Sequence, residues 1–143
     1  MGRWAGHRPV TREALLAIFD RVVAGDRALS QSERALVIAC EFWAAAGNEE
    51  LVARFKEQPA LSFLEVSEAF RSVGARYAAD DLQRTAGAWS RTRSSDEREG
   101  HLEGLARRLA VSDDDVESRI AAYARNVLQT MRADVIRRTS ADS

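Results

Sequence analysis

The sequence predicts an all-α, single-domain orthogonal bundle of about six to seven helices, and three observations carry that expectation. The first is the stretch from Ala35 to Ala46, in which Glu41 is the only charged residue. A helix that is apolar on nearly all its sides belongs at the centre of a domain rather than on its rim, so a central apolar helix over residues 32–46 is expected to organise the fold. The second is that apolar residues elsewhere recur at steps of three and four, the helical period, while nothing alternates convincingly as a strand does. The third is composition: 45% apolar, 30% charged and only two prolines, with Ala, Leu, Arg and Glu, all good helix formers, prominent. At 143 residues the chain fits one domain that can bury about two-thirds of the surface its unfolded form exposes.

Taken in order, residues 1–10 read as a flexible N-terminal arm, because Gly2, Gly6 and Pro9 interrupt any periodicity. A single helical domain over 11–138 follows. Thr11 suits an N-cap; Leu15, Ile18, Phe19 and Val22 repeat at helical spacing up to Gly25, a residue suited to the position just past a helix end. Ser30 and Glu33, three apart, match a capping box opening the central helix. By 3.6-residue arithmetic Glu41 shares the helix's most polar strip with Arg34, Ile38, Ala45 and Asn48. Gly47 and Asn48 end that helix, and Asn48 is placed to cap a short one with Leu51, Val52 and Phe55 inward and Pro59 closing it.

Ser62 and Glu65 repeat the capping-box pattern, and Phe63, Val66, Phe70, Val73 and Tyr77 form a stripe that crosses Gly74. Glycine's low helix propensity predicts a break there, with a new helix from Ala75 toward Trp89. Residues 90–98 contain no apolar side chain and read as a loop inside the domain. Leu102, Leu105, Ala106 and Leu109 mark the next helix. Ser112 and the aspartates 113–115 cap the last, whose inner stripe is Val116, Ile120, Tyr123, Val127 and Met131 before a frayed tail over 139–143.

Charge and motifs narrow the function. The 21 basic residues, 20 of them Arg, nearly cancel 22 acidic ones and leave a net charge of −1. No global field therefore attracts nucleic acid or an acidic membrane. The opening residues lack the apolar run of a signal peptide and no segment approaches membrane-spanning length, so a cytoplasmic location is expected. Cys40 has no internal disulfide partner, and His7 and His101 stand apart with no metal-ligand spacing. No phosphate loop, nucleophile elbow or metal motif appears. The expectation is a protein without cofactor, metal or catalytic residue.

The remaining candidates each have two readings. Glu41 is either a general base whose pKa desolvation raises or a carboxylate paired with Arg34 or another arginine, the favoured reading because charged residues are seldom buried unpaired. Cys40 is either a nucleophile or, preferably, a small buried hydrophobe. The acidic clusters Asp80–Asp81 and Asp113, Asp114 and Asp115 either meet a basic partner or, for 113–115, simply complement a helix dipole. Together with Glu41 they are the candidate partner-binding residues. Arg91, Arg93, Arg107, Arg108, Arg137 and Arg138 are interspersed with acids and read as a solubilising surface.

Ser67 to Ala86, with its Glu68-Ala69-Phe70 and Val73-Gly74-Ala75 segments, resembles the pattern of the bacterial DNA-mimic-protein-like family of helical domains. Leu29-Ser30-Gln31-Ser32-Glu33-Arg34 is similar to the opening of that family's central helix, Glu41-Phe42 falls where its signature begins, and Ala122-Tyr123-Ala124-Arg125 suits its last helix. The resemblance spans about residues 11–128. It departs at Ala44-Ala45-Ala46-Gly47-Asn48, where the family has Asn-Gly-Gly-Phe, and only Arg54-Phe55 echoes the later part of the signature. The resemblance implies a helical protein-binding domain, either a mimic of DNA that inhibits a DNA-binding protein or an immunity protein against a bacterial toxin. A net charge of −1 fits mimicry poorly, so the expectation is an immunity-type partner of a toxin or effector, with a cryptic enzyme using Glu41 as the remotest alternative.

Overall fold

A computed structural model describes residues 7–25, 28–46, 50–92, 94–111 and 113–141, with the side chains of 113–114 and 138–141 left aside. Among the described residues the chain forms seven helices and no strand: α1 (Pro9–Val23), α2 (Gln31–Ala46), α3 (Glu50–Phe55), α4 (Ala60–Ser72), α5 (Arg76–Trp89), α6 (Ser95–Val111) and α7 (Asp113–Ala141). The all-α bundle is the architecture expected. α2 packs against α1, α3, α4 and α7, which makes it the central helix. Its inward residues include Leu36, Ala39, Cys40, Phe42 and Trp43, all buried.

Phe42 anchors a chain of aromatic contacts through the core. Its ring meets Phe55 of α3 edge-on at 4.9 Å and Phe70 of α4 at 6.0 Å. Phe63 lies 5.8 Å from Phe55 and 4.8 Å from Trp89 of α5. Such offset contacts add about 0.5–1.5 kcal/mol each beyond area burial. Trp89 is fixed twice more, its indole Nε1 donating to the Gln58 carbonyl at 2.8 Å and its ring lying 5.2 Å under the Arg98 guanidinium.

Local chemistry explains the helix ends, in several places differently from the expectation. α1 starts at Pro9, whose fixed φ is pre-organised for a first helical position. Thr11 is therefore an interior residue, 1% exposed, and His7 is docked and buried rather than part of a loose arm. Gly25 ends the helix with φ +71, as its position suggested. The capping box of α2 is reciprocal: the Ser30 amide donates to Glu33 Oε1 at 2.8 Å, and the Glu33 amide donates to Ser30 Oγ at 3.2 Å. The stop and cap expected at Gly47 and Asn48 fall outside the described residues.

The second expected box does not form. α4 begins at Ala60 after an extended Pro59, which places Ser62 in the first turn, and Glu65 instead pairs with Arg34 at 2.9 Å. The break at Gly74 is real. Gly74 takes φ +89, its amide donates to Arg71 O, and the Ala75 amide reaches Phe70 O at 2.9 Å, the paired bonds of a Schellman ending. That turn resets the helical phase, so Tyr77 leaves the stripe and stands 83% exposed, while Ala78, Ala79, Leu82 and Trp89 turn inward.

Only part of the polar run 90–98 is loop. Ser94 Oγ accepts the Glu97 amide at 3.1 Å, and with Asp96 and Glu97 in its first turn α6 starts at Ser95. α7 runs unbroken to Ala141, past the residue where fraying was expected. At about 1.5 Å per residue its 29 residues span about 43 Å, and it overruns the bundle: among the described side chains its last buried residue is Leu128, its last partly buried hydrophobic Met131.

A candidate binding cleft between α2 and α7

Where α7 passes the start of α2, the two helices leave a cleft of about 210 Å³. The capping box builds one wall. By holding Glu33 against the Ser30 backbone it directs that carboxylate inward, where it is 3% exposed and forms an ion pair with Arg21 of α1. Burial pushes the Glu33 carboxyl up. The Arg21 and Ser30 hydrogen bonds and the Arg21 charge outweigh burial and hold it below the usual carboxylate range.

The facing wall comes from α7. Tyr123, Asn126, Val127, Thr130, Met131 and Asp134 recur at steps of three and four and so share one helix face. Ser30 and Ser32 complete the lining. The floor is apolar, through Val127 and Met131, and the rim presents hydroxyls, one amide and two carboxylates. None of these lining residues is basic. Thr130 donates to the Asn126 carbonyl at 3.0 Å and Asp134 accepts from Arg137 at 2.7 Å.

The residues singled out from the sequence lie elsewhere and are largely engaged in ion pairs. Glu41, its side chain 30% exposed, faces the Arg54 guanidinium at 3.9 Å rather than Arg34. Asp80 is exposed and meets Arg71 at 3.4 Å. Asp81 is 8% exposed, because Arg108 Nε donates to both its carboxylate oxygens at 2.9 Å across the α5–α6 contact. Asp81 therefore presents little of its carboxylate to solvent, with its charge met by Arg108. Asp115 is exposed and pairs with Arg119 one turn on, at 3.1 Å. The side chains of Asp113 and Asp114 fall outside the described residues.

Cys40 is fully buried, its thiol pushed up to about 12 chiefly by burial and then by the Glu41 charge, as a small hydrophobe behaves. His7 Nε2 donates to the Cys40 carbonyl at 3.2 Å, the only role a carbonyl partner permits. Among the described residues no group of three His, Cys, Asp or Glu side chains is placed to hold a metal ion, and no helix is long and apolar enough to cross a membrane.

In the sequence Glu33 carries only a capping pattern, and Tyr123 and Met131 only the inner stripe of the last helix. The signal in the sequence was the four-residue recurrence of Asn126, Thr130 and Asp134 beside that stripe, a polar edge on a helix expected to be buried. No protein-family model, curated protein or solved structure matches the chain.

Proposed function

We propose that this chain is a non-catalytic protein-binding module, most concretely an immunity-type protein that neutralises a cognate bacterial toxin by covering its active site. The observation that carries the reading is the overrun of α7. Val135 continues the stripe of Leu128 and Met131 by helical spacing, yet it and Ile136 stand 61% and 66% exposed. Exposed apolar residues scattered singly need no explanation. Two adjacent ones that prolong a core stripe past the end of the core, next to a cleft with polar groups at its rim, match the apolar centre and polar rim of a protein interface.

The start of the overrun also meets α1, where Arg132 reaches Glu13 at 2.9 Å in an exposed pair. The resemblance of residues 29–34 and 67–86 to a family that includes immunity proteins supports the same assignment. Co-expression of the chain with the product of its neighbouring gene is the test. Restored growth and a co-purifying complex are expected; a neighbouring product that is neither toxic nor bound overturns the reading.

A further inference from the structure

We infer that the α2–α7 cleft receives one guanidinium-bearing side chain, an arginine presented by the partner; the inference rests on the protein-binding reading. Size is the first argument. At about 210 Å³ the cleft lies below the roughly 300–1,000 Å³ of sites for drug-sized ligands and cofactors, and it has room for a single long side chain.

Chemistry is the second. Ser30, Ser32, Tyr123 and Thr130 offer hydroxyl oxygens, Asn126 a carbonyl oxygen, and Glu33 and Asp134 carboxylates, with no basic residue among the lining. An acceptor-rich rim selects a donor-rich guest. Glu33 is already neutralised by Arg21 inside the bundle, so the carboxylate that meets the guest is Asp134, with a side chain 29% exposed. Its pairing with Arg137, 74% exposed, is a solvated contact within one helix. Such pairs contribute little, so a guanidinium that also meets the cleft's other acceptors can join or replace Arg137 at this carboxylate.

Shape is the third. Arginine's planar fork of five donors can bridge a carboxylate and neighbouring hydroxyls at once, whereas an ammonium is a compact point charge. The Tyr123 ring and the Val127–Met131 floor give the plane and the aliphatic stem a surface to lie on.

The test is a titration of the isotopically labelled full chain with N-acetyl-arginine amide, followed by amide NMR shifts, against the neutral isostere N-acetyl-citrulline amide. Saturable shifts confined to residues around Ser30, Ser32, Asn126, Thr130 and Asp134 are expected with arginine and not with citrulline. Asp134→Asn, at a partly exposed position, is expected to weaken binding about tenfold, the size of one charge-assisted hydrogen bond. No shifts, equal shifts with citrulline, or unchanged binding by Asp134→Asn would overturn the inference. The two readings separate cleanly: a cognate toxin neutralised equally by wild type and Asp134→Asn keeps the immunity role and removes the arginine site, while arginine binding with no cognate toxin does the reverse.

Discussion

Arg21 of α1 and Glu33 in the first turn of α2 form an ion pair in which Glu33 is almost wholly buried and Arg21 largely so. The same carboxylate caps α2 and walls the cleft, so one residue couples helix initiation, the α1–α2 contact and the site. Removing one partner of a buried pair leaves an uncompensated charge and costs about 3–5 kcal/mol. Arg21, 13% exposed, can swing toward water, which lowers the expected cost. Glu33→Gln keeps an oxygen for the Ser30 amide but removes the charge and sets an amide NH2, a donor, against Arg21. It is expected to destabilise by about 2–3 kcal/mol in urea titration, with Glu33→Ala worse by the lost cap, about 1 kcal/mol.

Acid stability should fall in two steps. Burial lowers the His7 pKa from 6.5, against the raising effects of its bond to the Cys40 carbonyl and of Glu117 on α7, with Arg12 of α1 adding to the lowering. The unfolded chain therefore binds a proton that the folded one resists. This contribution is complete above pH 6.5 and is lost as pH falls below that value through the lower folded pKa. Glu33, lowered from 4.5, keeps its full contribution above 4.5 and loses it as pH falls further. His7→Gln should flatten the first step in melting temperature against pH and leave the second, and Glu33→Gln the converse. A single step unchanged by either variant would contradict this assignment.

What could be read without the structure was local. The capping box at Ser30 and Glu33, the left-handed Gly25 and the break at Gly74 depend on residues within one turn of each other, so their spacing sufficed. What could not be read depended on distant residues. The fate of Asp81 was decided by Arg108, 27 positions away, and the exposure of Tyr77 by the phase change at Gly74. The start of α4 went to Pro59 and Ala60 over an equally good Ser62–Glu65 pattern, and Glu65 pairs instead with Arg34 on another helix. The cleft escaped for the same reason: its walls are separated by about ninety residues, and the capping box on one wall signals only a helix start.

The glycines give a test of these local assignments. A Cβ at Gly74 would sit 3.6 Å from Arg119 Nη1, ordinary contact, so the cost of Gly74→Ala comes from φ +89 alone. About 1–2 kcal/mol of destabilisation is expected. Gly25→Ala, at φ +71 with nothing within 4 Å, should cost a similar amount. Gly87 lies inside α5 with open space around its missing Cβ, and Gly87→Ala should stabilise by about 0.5–1 kcal/mol. Thermal melts of the three variants decide whether the signs differ as stated.

Cys40 turns the core into a reporter of its own opening. Its thiol is fully buried and held at about 12, so the native state offers neither access nor thiolate to a disulfide reagent. Labelling must proceed through unfolded or locally opened molecules, and its rate then tracks the opening equilibrium when reclosing is fast. If opening is global, Glu33→Gln, destabilising by about 2–3 kcal/mol, should speed labelling about 30- to 150-fold. Acceleration of that size, together with the urea midpoint shift, places Cys40 inside the cooperative core around α2. A rate unchanged by Glu33→Gln but raised by His7→Ala would instead locate the opening at the segment that His7 pins to the Cys40 carbonyl.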